Sequence, residues 1–194
     1  TGVDLPEVSI SDAEQVAALP WDDIDVVINA AAWTNVDGAE TPEGRRATWQ
    51  ANSTGPAILA REATAHGATM VHISTEYVFD GTQDVHVEDE APSPLGAYGQ
   101  SKAGGDAAVA STPKHYIVRT SWVVGDGKNF LKTMASLAEQ GTSPSVVSDQ
   151  VGRLTFTSDL AKGIIHLLTS QAPFGTYNLS GEGPVMSWAQ VAKR

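Results

Sequence analysis

Tyr98 and Lys102 stand four positions apart in the stretch AYGQSKAGGD, residues 97–106. On a helix that spacing puts a phenol and an ammonium group on one face. A cation beside a phenol favours the phenolate and draws its pKa down from about 10 toward neutral pH. A phenol tuned in this way can give a proton to a carbonyl oxygen as hydride reaches the carbon, or remove one in the reverse direction. Tyr-x-x-x-Lys also arises by chance on ordinary helix surfaces, so the pair needs company before it means chemistry. Thr75, closing the apolar run ATMVHIST (68–75), supplies it as a further hydrogen-bond donor to the same oxygen. A hydroxyl followed by Tyr-x-x-x-Lys, all at one sheet edge, is far more specific than any single piece.

Those residues must be placed by elements. IDVVINAA (24–31), ATMVHIST (68–75), HYIVRTSW (115–122) and PSVVSD (144–149) are short apolar runs rich in β-branched residues. Between them lie helical patterns over 43–67, from about Ala97, over 129–141 and over 157–170, with a last one from Ser187. Ile58, Leu59 and Ala63 fall on one helical face. Gly67 and Gly141 sit where C-terminal caps belong, and Ser158 with Asp159 opens the later helix. Buried runs alternating with amphipathic helices predict an α/β protein with a parallel sheet. The opening stretch, 1–19, reads as a loop and a helix, and 89–97 as a loop.

Ligands of open parallel sheets bind beyond the carboxyl ends of the strands. The first run ends in NAAAWTNVD (29–37): Ala30, Ala31 and Ala32, then Thr34, Asn35 and Asp37. Small residues there either let a flat ligand approach the backbone or fill a tight turn. The second ends in Ser74 and Thr75, with Tyr77 two positions on; these hydroxyls either face a ligand or cap backbone groups. The third brings Arg119, Ser121 and Trp122 to the same rim, where a lone Trp is more often core than ligand platform.

Composition narrows the partners. The 194 residues are 41% hydrophobic and 18% charged, a globular profile with one good core. With 23 acidic against 12 basic residues the net charge is -11, which argues against nucleic acid and anionic membrane surfaces. No apolar run approaches the roughly 20 residues of a membrane span. The absence of cysteine suits a cytoplasmic setting and rules out thiolate chemistry and cysteine metal sites.

Taken together, NAAAWTNVDGAE, ISTEYVFDG, YGQSK, RTSWVVG and VVSDQVGRLTFTSDLA resemble the extended short-chain dehydrogenase/reductases, and among them the dTDP-4-dehydrorhamnose reductase family. The likeness covers nearly the whole chain, and STEYVFDG with RTSW and SDQVG is specific to that subfamily. It implies a Rossmann-like sheet carrying part of a small substrate-binding lobe. It implies NADPH or NADH as cofactor and a dTDP-4-keto-6-deoxy-L-sugar as substrate, reduced at C4. In the matching positions Tyr98 is the general acid, Lys102 its partner and ribose ligand, and Thr75 the third catalytic member. Ala30, Ala31, Ala32 and Ser74 line the cofactor, together with Tyr98 and Lys102. Thr34, Val36, Asp37, Tyr77 and Trp122 line the substrate, beside Thr75 and Tyr98. Asn52 matches a helix asparagine of the wider family, or is a helix-surface amide. No metal site is implied.

The chain also departs from the pattern. The Gly-rich strand–loop–helix that binds pyrophosphate is not present, and Ser9, Ile10, Ser11 and Asp12 stand where relatives read Asp-Ile-Thr-Asp. The expectation is a Rossmann domain missing its first βαβ, from residues 1–125 and 154–170, with a partial lobe from 126–153 and 171–194. An upstream fused domain or a homodimer is the further expectation for its partners. Glu76 and Tyr77 follow Thr75 where dehydratases carry Asp-Glu, which favours ketone reduction over dehydration. Epimerases share the Tyr and Lys and stay open, as does a non-catalytic relative like the regulatory β subunit of methionine adenosyltransferase. Glu88, Asp89 and Glu90 read as a solvated loop, His72 and His166 as packing within or beside the core. Arg153 meets substrate phosphates or forms a surface ion pair.

Overall fold

The computed structural model describes residues 1–193. Asp12 caps the first helix, α1 (Ala13–Ala17), by accepting from the amides of Glu14 and Gln15. Trp21 follows in a 3₁₀ turn, buried, with its indole N–H donating to the Val16 carbonyl at 2.8 Å. Strand β1 (Val26–Asn29) is next. Thr41 then caps α2 (Pro42–Trp49), which runs through a wider π turn, Gln50–Thr54, into α3 (Gly55–His66). After these come β2 (Thr69–Thr75), α4 (Ala97–Val109), β3 (His115–Thr120) and β4 (Val123–Val124). The remainder is α5 (Phe130–Glu139), β5 (Val151–Gly152), β6 (Thr155–Phe156), α6 (Thr157–Thr169), β7 (Gly175–Asn178), β8 (Met186–Ser187) and α7 (Trp188–Ala192).

The chain divides into two compact units, residues 1–119 with 173–178 and residues 120–172 with 179–194. The first holds a four-stranded sheet in the order β1-β2-β3-β7. β1 runs parallel to β2, with Val26 opposite Thr69, and β3 parallel to β7, with Tyr116 opposite Gly175. Helices α3 and α4 pack on each other and against β2. Met70, Ile117, Val109, Leu59 and Ala63 build the core with Val16 and Trp21, and Ile58 packs at its margin. Each such aliphatic side chain contributes about 1.5–3 kcal/mol by leaving water, which is why the apolar runs of the sequence become this sheet.

The second unit is built differently. β4 pairs with β6 in parallel, and β5 with β8 in antiparallel, as two separate two-stranded ladders. Helix α6 buries Leu160, Ile164 and Leu167, one stripe at helical spacing, whereas α5 buries none of its residues. Ser187 and Gln190 form a reciprocal capping box at the start of α7.

The α/β class with a parallel sheet, the helix at Ala97 and the left-handed caps at Gly67 and Gly141 match expectation. Residues 144–149 do not form a strand. Val147 is half exposed, and its carbonyl accepts the amide of Ala189 rather than a ladder partner. The two-residue strands β4, β5, β6 and β8 are too short to show a period of two. Ser158 and Asp159 lie inside the first turn of α6, whose cap position is Phe156 with no side-chain bond. Among the described residues no helix is long and apolar enough to cross a membrane.

Candidate active site

Helix α4 starts where it does because of a residue distant in sequence. Its cap position, Gly96, has no side chain to offer. Glu40 Oε1 instead accepts the Ala97 amide at 2.6 Å, and Arg45 holds the same carboxylate at 2.7 Å. These two contacts, Ala97 first, keep the Glu40 carboxyl below its ordinary pKa. Two glycines then let α4 approach its neighbours. A Cβ on Gly99 would lie 2.1 Å from the Tyr77 carbonyl oxygen, and one on Gly105 would lie 2.2 Å from that of Asn52. The glycines of AYGQSKAGGD are thus what let Tyr98 and Lys102 reach β2.

Tyr98 meets Tyr77 edge to face, with ring centroids 5.8 Å apart. The phenol is pushed up to about 12, chiefly by burial and then by the Glu76 carboxylate; the Thr75 hydroxyl hydrogen-bonds it and acts the other way. Thr75 Oγ1 also donates to Glu76 Oε2 at 3.1 Å and accepts the Tyr77 amide at 3.2 Å. Tyr77 is raised likewise, by burial, Glu76 and Asp37. A lysine-lowered phenol was the expectation, and the structure corrects it. Lys102 Nζ donates to the Ile73 carbonyl at 2.6 Å and lies 3.5 Å from His72 Nε2, and burial and Glu76 prevail at Tyr98. The phenol therefore holds its proton across the neutral range.

Lys102 itself, only 2% exposed, is drawn down to about 8 by burial, with the Asp106 carboxylate opposing. His72 is wholly buried and kept well below its ordinary pKa by burial and by Lys102, so it is neutral. Arg119 Nε donates to Asp106 Oδ2 at 3.2 Å, and its guanidinium lies 5.1 Å from the centre of the Phe79 ring. Ser74 is buried and approaches Asp106 without reaching hydrogen-bonding geometry.

Asn52, fully buried in the π turn, corrects the surface-amide alternative. Its Oδ1 accepts the Trp33 amide at 2.8 Å, and its Nδ2 donates to the Trp33 carbonyl and to Ser101 Oγ. One side chain thereby ties the segment after β1 to α4. A π turn opens a helix locally and often marks a functional position. On that segment Ala30, Ala31, Ala32, Thr34, Val36 and Asp37 are all exposed. The structure thus gathers Thr75, Tyr77, Tyr98 and Lys102 around the end of β2 and leaves the small-residue shelf open beyond β1.

In the second unit Trp122 stacks on Trp188 with centroids 3.5 Å apart, and Phe130 leans on Trp188 at 4.5 Å. The Trp122 backbone has φ 35°, a costly conformation for a bulky residue. It is held by that stack and by the Thr155 amide on its carbonyl, 3.1 Å away. Ser121 Oγ donates to the Arg153 carbonyl at 2.8 Å, while the Arg153 side chain is exposed and forms no ion pair among the described residues. His166 is exposed rather than packed, because it lies off the Leu160–Ile164–Leu167 stripe. The acidic loop is anchored, not merely solvated. Arg119 donates to the Glu88 carbonyl, Glu88 Oε1 accepts the Asn178 amide, and Glu90 pairs with His86. Glu40 and Asp106 were missed by sequence reasoning, although Asp106 sits one helical turn beyond Lys102 in the same stretch.

The whole chain, residues 1–194, matches the family described as RmlD substrate binding domain. It is 36% identical to the dTDP-4-dehydrorhamnose reductase of Aggregatibacter actinomycetemcomitans, across 98% of this chain and 67% of that protein. Identity is 45% to the Salmonella typhimurium reductase, across 87% of this chain and 58% of that one. The crystal structure of the Bacillus anthracis dTDP-4-dehydrorhamnose reductase in complex with NADP superposes with a TM-score of 0.92 at 36% identity, covering 98% of this chain and 68% of that one. The chain therefore spans about three-fifths to two-thirds of the length of these relatives. The Streptomyces venezuelae dTDP-glucose 4,6-dehydratase, at 21% identity, shares its Rossmann-like fold with a TM-score of 0.84. In sequence and in fold alike, the chain belongs to the RmlD substrate binding domain family of dTDP-4-dehydrorhamnose reductases.

Proposed function

We propose that this chain carries the proton-donating part of an NADPH- or NADH-dependent reductase, which converts the C4 ketone of dTDP-4-dehydro-L-rhamnose to the alcohol of dTDP-L-rhamnose. The observation that carries the reading is Tyr98: a protonated phenol, hydrogen-bonded by Thr75, on the same helix as a buried Lys102. The relatives named above are reductases of that substrate, and one of them is solved with NADP.

The residues present fit one end of a nicotinamide dinucleotide. Ala30, Ala31 and Ala32 are exposed with no side chain beyond Cβ, so a flat ring can lie against them. Lys102 uses one N–H on the Ile73 carbonyl and keeps others for ribose hydroxyls. When bound, the nicotinamide supplies the hydride that reaches C4. Tyr98 gives its proton to the C4 oxygen, so that ketone, hydride and proton together make the alcohol. A phenol near 12 yields a proton reluctantly, and the resulting phenolate would sit in a buried site beside Glu76. As the phenolate forms, Lys102, one turn along α4, is the cation that offsets part of this cost, short of overcoming burial and Glu76. The Thr75 hydroxyl, whose single proton goes to Glu76 in the free site, turns to donate to the oxygen that gains charge.

We assign Thr34, Val36, Asp37, Tyr77 and Trp122 to the sugar nucleotide, and Ser74 to the wall beneath the cofactor. The missing second carboxylate at Tyr77 supports reduction over dehydration. A cysteine-free chain suits a cytoplasmic reaction. The test is oxidation of NADPH or NADH by the full-length protein with dTDP-4-dehydro-L-rhamnose, with the product identified by NMR. Formation of dTDP-L-rhamnose supports the reading. No turnover, together with tight binding of a partner protein, would replace it with a regulatory role.

A further inference from the structure

The stretch that holds Tyr98 and Lys102 also holds Asp106, which the reaction above leaves unused. Asp106 follows Lys102 by one turn on α4, so the two share a face, and Asp106 is 3% exposed. Arg119 Nε anchors its Oδ2 at 3.2 Å, and its Oδ1 lies 3.8 Å from His72 Nε2. Asn29 sets the imidazole: its Oδ1 accepts the Ala31 amide, so its Nδ2 faces and donates to His72 Nδ1. The neutral ring then carries its proton on Nε2, the nitrogen facing Lys102 and Asp106. His72 therefore offers Lys102 no lone pair and no negative charge.

The groups around Lys102 supply one counter-charge. β2 brings His72 and Ser74, both uncharged, and the Ile73 carbonyl; Glu76, on the turn after β2, acts on the Tyr98 and Tyr77 phenols rather than on Lys102. β3 brings Arg119, a second cation, whose other contacts are the Glu88 carbonyl and the Phe79 ring. α4 brings Asp106, whose carboxylate is the charge that favours Lys102's protonated form. Burial raises the pKa of Asp106 itself, and Ser74, Arg119 and Lys102 act against that rise.

We propose that Asp106 is a positioning residue for Lys102: anchored by Arg119, its buried carboxylate keeps the Lys102 ammonium charged beside the reacting centre, where the Ile73 carbonyl fixes it. A buried ammonium without such a partner sheds its proton rather than stay charged. The proposal rests on the reading of Lys102 given above, but its first test needs no turnover.

Lysine labelled at Cε with carbon-13 is introduced into the full-length protein, and the Lys102 signal is titrated with pH. In the wild type its midpoint is expected near 8. Asp106→Asn should lower that midpoint by about one unit or more, and Asp106→Glu should restore it. If Asp106→Asn alone fails to fold, Asp106→Ser, which also loses the carboxylate and keeps Arg119, should show the same fall. The alkaline limb of kcat/KM should move down with the midpoint. An unchanged Lys102 midpoint in Asp106→Asn or in Asp106→Ser overturns the proposal. A lowered midpoint in a protein that reduces no sugar would sink the reductase reading and leave the Asp106–Lys102 coupling standing.

Discussion

The two units of this protein spend their sequence on different things. In the first, a four-stranded sheet and two helices enclose polar groups that water would otherwise claim. His72, Ser74, Asn52, Lys102, Asp106 and Arg119 are all under a tenth exposed. Their partners are fixed in direction, with Asn29 orienting His72, Arg119 anchoring Asp106, and Glu40 starting α4. In the second unit the buried polar groups among the described residues are hydroxyls alone, Thr120, Ser121, Thr155 and Ser187, and Trp122, Trp188 and Phe130 form an aromatic cluster. Buried charges lock a geometry because any displacement leaves one unpaired. Stacked rings act without charge, here holding the Trp122 backbone. On the proposed reading, proton transfer belongs to the first unit and Trp122 to substrate recognition.

The largest effect that would sharpen this contrast is on rate. Lys102 must be cationic to offset the phenolate, and its pKa lies near 8. Activity is then complete below that pH and falls as pH rises through it, about tenfold per unit, so that kcat/KM at pH 10 is about a hundredfold below its plateau. Tyr98, near 12, keeps its proton throughout and does not set this limb. A flat profile from pH 7 to 10 would break the assignment. A smaller effect, on stability, is expected at Asn52. Asn52→Ala strips partners from the Trp33 amide and from Ser101 and should cost about 2 kcal/mol in urea unfolding. A cost near zero would mean that the π turn does not tie β1 to α4. Smallest is Trp188→Phe, which keeps an aromatic ring and loses part of the stack, at about 1 kcal/mol. Near-ultraviolet circular dichroism should lose the signal of the Trp122–Trp188 stack, while the Lys102 titration stays as in the wild type. A changed Lys102 midpoint there would erase the distinction between the units.

Legibility in the sequence follows the same divide. Long apolar runs such as ATMVHIST announce a buried strand, and β2 occupies 69–75. Tyr98, Lys102 and Thr75 are readable because their spacing survives in one helix and the strand before it. Glu40 is not, since it caps α4 from 57 residues away, and no local pattern encodes such a contact. Lys102's direction is equally hidden: spacing shows that it shares a face with Tyr98, not that the Ile73 carbonyl claims its ammonium. In the second unit PSVVSD has strand composition, yet Val147 is half exposed, and β-propensity without burial does not make a strand. Trp122 and Trp188 lie 66 positions apart, and their stack arises from tertiary packing alone.

The central claim is that Tyr98 is the proton donor, and one comparison tests it most directly. NADPH or NADH oxidation with dTDP-4-dehydro-L-rhamnose is measured for the full-length wild type and for Tyr98→Phe, with thermal unfolding alongside. Loss of the phenolic hydroxyl should lower kcat/KM by about a thousandfold, with Tm changed by no more than a few degrees. A Tyr98→Phe protein that reduces the sugar at the wild-type rate would contradict the account.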